Sequence, residues 1–324
     1  MSKRKIWLDT DPGFDDWFTM LLLAADPGLD WVGTSVVAGN APLPVTHDNA
    51  QRICAHYGLS APIYRGCDQA LGGTLITAQH ILGAGGMKTT GEPLPPAAHA
   101  SNDATHDASR HAVDALIDAI TRHPGEISIL AIAPLTNIAM ALQRAPGIAP
   151  RIPEVLLMGG STDRGNHTAA AEFNIYADPE AASIVFNAGI PLRMFGLNLC
   201  RQVTLTQAEL QQVQGLGTPR ARWFAGYLDA YLRIRSADGS APMPLYDPVV
   251  AAYLSHPEHF EFQPARVEIE LNGSFTRGMT VCEFRRPEQT GAQVQVATQV
   301  DAPAALHAVM SRLAQSLAAS GPQA

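Results

Sequence analysis

Short apolar runs that alternate with amphipathic segments of helix length restrict this chain of 324 residues more than any other feature. "KIWLD" reads as a buried strand, and "DDWFTMLLLAAD" as a helix that stops near Asp26-Pro27-Gly28. "DWVGTSVVAGN" is a second strand, "PVTHDNAQRICAHYG" a second helix ending on Gly58, and "PIYRG" a third strand. A Gly-, Pro- and polar-rich stretch over residues 72–108 follows. Loops of that length are often functional. The alternation then resumes with helix "SRHAVDALIDAITRHP", strand "EISILAIAP", helix "LTNIAMALQRA" and strand "EVLLMGG". A polar loop over 161–174 leads to helix "DPEAASIVFNAG" and strand "PLRMFGLN". The last third is more mixed. It offers helices near 206–236 and 247–256, strand-like "RVEIEL", "GMTVCEF" and "AQVQVATQV", and a final helix. Repeated βα units predict a mostly parallel central sheet flanked by helices. We read residues 1–324 as a single Rossmann-like α/β domain.

Open sheets of this kind bind ligands at the carboxyl ends of their strands. The polar punctuation of the sequence falls there. Asp9, Asp11, Asp15 and Asp16 follow the first strand, and Asn40 ends the second. "APLTN", "GGSTDRGN" and Asn198 end later ones. The topology predicts that these distant segments share one rim.

Composition removes several classes of function. Charged residues are 16% and hydrophobic ones 46%, which argues for a well-filled core and against disorder. The net charge is −8, with no Lys/Arg stripe, so nucleic acid is not an expected partner. Cys54, Cys67, Cys200 and Cys282 are scattered and form no framework of disulfides. Neither a secretory signal nor a run of roughly 20 apolar residues is evident. The expectation is a cytoplasmic protein with no membrane partner.

"DTDPGFDD" is the densest chemical signal. At about 4 Å and an effective dielectric near 20, each pair of carboxylates repels by on the order of 4 kcal/mol. Such a cluster needs either raised pKa values or a cation. Oxygen ligands suit Ca²⁺ or Mg²⁺, and no Cys/His spacing favours Zn²⁺. Asp15 and Asp16 also suit a helix start without any metal. Pro12 and Gly13 offer a turn that folds Asp11 back on the same centre. The D-x-D pattern resembles, as an alternative, haloacid-dehalogenase-type Mg²⁺ phosphatases, with Asp9 as nucleophile. That reading needs a downstream lysine, and after Lys5 only Lys88 is present.

"DTDPGFDD", "VVAGN", "LTNIAMAL", "EVLLMGG", "GNHTAAAEFNIYADPEAASIVF", "YDPVVAAY" and "GMTVCEFR" together resemble, in order, the blocks of the inosine–uridine-preferring nucleoside hydrolases. The resemblance implies a Ca²⁺-dependent ribonucleoside N-ribohydrolase that forms homodimers or homotetramers. It implies metal ligation by Asp11, Asp16, Asp247 and the backbone oxygen of Ile132. It also implies that Asp15, Asn40, Asn174 and Asp247 hold the ribose 2′- and 3′-hydroxyls. Asn166 and Glu172 would hold the 5′-hydroxyl, with Met158 beneath the sugar. Asp11 would take the proton of a metal-bound water, and the transition state would be oxocarbenium-like.

The sequence departs from the family at the nucleobase. Tyr246 stands where a histidine is usual before the helix Asp, and Leu82 where "H-x-H-G" has its second histidine. His80 remains. Tyr246 is therefore the expected leaving-group contact, as donor or stacking partner. Tyr227 and Tyr231, four apart on one predicted helix, are further pocket candidates. The same departures leave open a nucleoside- or ribose-binding protein without turnover.

Overall fold

The computed structural model describes residues 3–97, 109–286, 291 and 293–318. The final part of the expected 72–108 loop, residues 98–108, lies outside the described residues. Eleven strands and twelve α-helices are assigned among the described residues, and these labels follow chain order. The first half runs β1 (Arg4–Thr10), α1 (Phe14–Ala25), β2 (Leu29–Val36), α2 (Leu43–Tyr57), β3 (Ile63–Arg65), α3 (Gln79–Leu82), α4 (Ala112–Arg122), β4 (Ile127–Ala131), α5 (Thr136–Arg144) and β5 (Val155–Met158). Then come α6 (Phe173–Ala177), α7 (Pro179–Phe186), β6 (Leu192–Phe195), α8 (Leu197–Cys200), β7 (Thr204–Leu205), α9 (Gln207–Gly215), α10 (Pro219–Leu232), β8 (Met243–Pro244) and α11 (Asp247–Ser255). The chain closes with β9 (Phe260–Ile269), β10 (Thr280–Glu283), β11 (Val294–Val300) and α12 (Ala302–Ala318).

One sheet of nine strands carries the fold, in the order β10-β9-β11-β6-β5-β4-β1-β2-β3. The run from β3 to β11 is parallel, and β9 and β10 extend it by antiparallel pairing. The mostly parallel α/β expectation is met. From β1 the chain first builds outward to β2 and β3, then returns to place β4 on the other side of β1. The crevice between the carboxyl ends of β1 and β4 is the topological switch point.

Side chains alternate across β1, so it feeds two apolar layers. Ile6 and Leu8 pack with α1, α10 and α12, while Trp7 packs with α4, α5 and α7. Strands buried on both faces explain the continuous apolar runs of the sequence. None of the described helices is long and apolar enough to cross a membrane.

Several elements differ from the sequence reading. The helical stretch near 206–236 divides at Leu216–Thr218 into two helices. Thr218 caps the second through Ala221 N (3.1 Å), and Pro219 sits at its start, where no N–H is needed. Strand β9 begins at Phe260, well before "RVEIEL", and carries Pro264 inside it. Short α6 interrupts the polar loop, and β7 and β8 form a separate antiparallel ribbon.

Candidate active site

Strand β1 ends at Thr10, and the chain turns through Asp11-Pro12-Gly13 into α1. Asp16 ties this turn together. Its carboxylate accepts from Thr10 Oγ1 (2.5 Å), Gly13 N (3.0 Å), Asp11 N (3.2 Å) and Asn40 Nδ2 (3.1 Å). Asn40, beyond β2, reaches over from the neighbouring strand end to meet it. Its backbone N–H donates to Asp11 Oδ2 (2.6 Å) and its side-chain amide to Asp11 O (3.1 Å). Gly13 is needed for room rather than for an unusual angle. Its φ is −104°, and a Cβ there would lie 2.8 Å from Asn40 Nδ2. Gly39 serves Asp11 in the same way, since a Cβ would lie 2.0 Å from its Oδ2.

Helix α11 packs against α1, so Asp247 at its first position meets the first turn of α1. Ligand oxygens of Asp15, Asp16 and Asp247 all lie within 4.8 Å of one another. Burial pushes all four carboxylates up, against the hydrogen bonds that hold Asp16. Asp11 stands well above its usual range through burial and then Asp16. Asp15 is raised to about 7 by burial and then Asp16. Asp247 is raised by burial, and the charges acting most on it are Asp15, Asp16, Asp11 and Glu172, all acidic. Asp11 Oδ1 is buried with no hydrogen-bond partner. An orphaned carboxylate oxygen beside three converging carboxylates fits a hard divalent cation. The sequence reading gave Asp11 to the metal and Asp15 to the sugar. The structure places Asp15 in the tight trio and gives Asp11 one committed and one free oxygen.

Above this floor lies a cavity of about 270 Å³. It is lined by Asp11, Asp15, Asn40, His80, Ile132, Met158, Asn166, Glu172, Asn174, Tyr231, Tyr246 and Asp247, so nearly all sequence candidates converge. Asp16 lies just beneath, where it both ties the turn and joins the trio. Glu172 caps α6, accepting from Asn174 N (2.8 Å), Ile175 N (3.2 Å) and Gly160 N (3.0 Å). Burial nevertheless lifts it to about 7. Asn174 Nδ2 donates to Ile132 O (3.3 Å) and Met158 O (3.2 Å), joining the ends of β4 and β5. Asn166 Oδ1 accepts from Phe173 N (3.0 Å).

Two tyrosines expected to share a pocket are separated. Tyr231 lines the cavity and donates from its hydroxyl to Pro244 O (2.9 Å). Tyr227 does not reach it. Its ring meets Trp17 edge-on at 5.0 Å and its hydroxyl accepts from Leu94 N (2.9 Å), so it belongs to the core. Asp9 faces away from the cavity, where its Oδ1 accepts from Ser35 and from Asn137 Nδ2 (2.9 Å). A nucleophile cannot work from there, which removes the phosphatase alternative. Sequence reasoning missed His167 and Phe173, which line the outer wall next to Asn166 and Glu172. Adjacency in the quoted "GNHTAAAEFN" block was the available signal.

A carboxylate-floored cavity at the switch point of a doubly wound sheet is built to hold a small polar molecule. The chain belongs to the inosine-uridine preferring nucleoside hydrolase family, whose model matches residues 6–307. It is 37% identical, over 285 residues, to the pyrimidine-specific ribonucleoside hydrolase RihB of Escherichia coli O9:H4 (strain HS), covering 87% of this chain and 88% of that one. A solved purine-preferring ribonucleoside hydrolase from Gardnerella vaginalis superposes with a TM-score of 0.87 at 29% identity, covering 97% of this chain and 99% of that one. The plant nucleoside hydrolase PpNRh1 gives a TM-score of 0.86 at 28% identity, covering 96% and 99%. Hydrolysis of the N-glycosidic bond of nucleosides is accordingly the class of reaction.

Proposed function

We propose that the protein is a Ca²⁺-dependent ribonucleoside N-ribohydrolase releasing free base and ribose. The observation that carries this is the unpartnered Asp11 Oδ1 beside the Asp15, Asp16 and Asp247 trio. Asp11, Asp16, Asp247 and the Ile132 carbonyl would hold the ion, with Asp15 at its edge. A bound Ca²⁺ would offset the carboxylate charge and make a water more acidic.

The remaining steps belong to the side chains. Asp11 accepts the proton of the attacking water through Oδ1, which no protein group occupies. Asn40 has both amide hydrogens directed at Asp11 and Asp16, which leaves its Oδ1 to accept from a ribose hydroxyl. Asn174 is poised likewise, its amide committed to Ile132 and Met158. Asn166 is the reverse: its oxygen is occupied by Phe173 N, so its NH₂ faces outward to donate to the 5′-hydroxyl, with Glu172 as acceptor. Met158 supports the sugar from below. Positive charge developing at C1′ and the ring oxygen is stabilised by the fixed acidic surround. Tyr246 forms the wall by the base. Burial raises its phenol far above its usual range, so it suits stacking or a hydrogen bond rather than proton release.

The test is a ribonucleoside panel assayed for reducing sugar after chelation and Ca²⁺ add-back. Ion-dependent sugar release is the expected result. Silence on every ribonucleoside rejects the hydrolase, and tight binding without release favours the binding-protein reading. The same panel decides between purines and pyrimidines, on which RihB and the Gardnerella vaginalis enzyme differ by name.

A further inference from the structure

Loss of the nucleobase needs a group that can hydrogen-bond or protonate it, and the chain lacks histidine at 82 and 246. A different imidazole stands in the outer cavity. His167, from the loop after β5, faces His80, in short α3, with ring centroids 6.2 Å apart. His80 is exposed at the mouth, whereas His167 is half-buried. The His167 ring rests on Tyr176 (4.6 Å) and Phe173 (5.5 Å). Among the described residues neither imidazole has a hydrogen-bond partner for its ring nitrogens.

The backbone holds His167 in place. Its N–H, with those of Asn166 and Thr168, points to Ala171 O at 3.2 Å. Thr168 Oγ1 accepts in turn from Ala171 N (2.9 Å). Arg201 clamps the start of the loop through Arg164 O (2.9 Å) and Gly165 O (3.1 Å). An unpartnered ring on so fixed a loop is preorganised to meet a ligand.

Stereochemistry decides which part of the ligand it meets. In a β-ribonucleoside the base and the 5′-CH₂OH lie on one face of the furanose, and the 2′,3′-diol lies on the other. If the carboxylate floor holds the diol, the residues that read the 5′-hydroxyl also border the departing base. His167 follows Asn166 and packs on Phe173, the neighbour of Glu172. It therefore stands on the leaving-group face.

We propose that His167 donates to the departing nucleobase, a role that rests on the ribohydrolase reading. As the C1′–N bond breaks, its electron pair passes to the base, and His167, whose charged form burial and then His80 disfavour and so make a stronger acid, delivers its imidazolium proton to a base nitrogen or oxygen. Water oxygen bonds to C1′, and its proton goes to Asp11. Proton return from Asp11 to the imidazole through solvent closes the cycle, so the sum is one water added.

The test compares inosine and uridine with 4-nitrophenyl β-D-ribofuranoside, whose leaving group needs no protonation. His167→Phe keeps the stacking on Tyr176 and removes the donor, and His167→Gln keeps a neutral donor. His167→Phe should lower kcat on the nucleosides by at least about 100-fold while changing the nitrophenyl riboside by less than about 5-fold, with His167→Gln between the two. Equal losses on all substrates, or no loss on the nucleosides, would overturn the assignment. Wild-type protein inactive on every substrate would overturn the ribohydrolase reading along with it, a result distinct from an active enzyme indifferent to His167.

Discussion

The floor and the outer wall of the cavity are built on different principles. The floor is made where strands end. Asp11, Asn40, Ile132 and Met158 each follow or close a strand of one sheet, and hydrogen bonds accepted by Asp16 and donated by Asn174 tie those ends together. The wall is made of loop and helix-end residues, such as His80, Ile81, His167, Ile234 and Tyr246. Ile81 and Ile234 are also among the few large apolar side chains left exposed, at 43% and 37%. A floor fixed by topology suits the part of a substrate that every nucleoside shares, the ribose. A wall of loops suits the part that varies, the base. Two relatives that resemble this chain over nearly its whole length are named for opposite base classes, as that division predicts.

Changes to the floor should hurt every substrate alike. Asp11→Ala removes the proposed proton acceptor and should lower kcat/KM by at least about 10⁴-fold on all nucleosides, with circular dichroism unchanged. Selective loss on one base would blur the floor into the wall. Deleting the substrate's own contribution is next in size. A 2′-deoxyribonucleoside leaves buried acceptors on the floor unpaired, and a loss of about 10³-fold in kcat/KM is expected.

The floor also predicts a linkage between cation and pH. Asp15 and Glu172 are raised to about 7, chiefly by burial. Between the usual carboxylate range near 4 and those values, the chelated native protein holds protons that the unfolded chain has released. Native pKa values above unfolded ones mean that this stability is lost as pH rises. Melting in chelator should therefore fall from about pH 5.5 to about pH 8, and Ca²⁺ should restore most at the alkaline end. A melting temperature that rises with pH in chelator would break the pattern.

Smaller effects belong to the wall and to what lies behind it. Tyr246→Phe should change kcat by only a few-fold if the ring serves by stacking, and by more on poor leaving groups if its hydroxyl donates. Tyr227→Phe leaves Leu94 N without its acceptor, and should cost about 1 kcal/mol in denaturant unfolding with kcat untouched.

The same division explains what the sequence discloses. Asp11, Asp15 and Asp16 fall within six residues, so their charge crowding is visible locally. Asp247 is different. Alone it reads as a helix start before Pro248, and only the packing of α11 on α1 turns it toward the cluster. Family resemblance supplied it where local chemistry could not. Periodicity put Tyr227 and Tyr231 on one face of a helix. One turn apart along α10, the first points into the Trp17 core and the second into the cavity. Strand β9 hid its first half because Pro264 interrupts the alternation, yet it pairs with β11 through that region. Helix α6 is five residues long, too short to show a period, though its cap Glu172 was chosen for another reason. His167 offers only its adjacency to Asn166 in the quoted block. Its place in the cavity depends on the fold of the loop that carries it.

Calorimetric titration of Ca²⁺ into chelator-stripped protein is the most direct test of the floor. One ion per chain should bind, with affinity sharply reduced in Asp247→Asn. Absence of binding by the wild-type chain, or binding that Asp247→Asn leaves unchanged, would contradict a shared cation site between the first turns of α1 and α11.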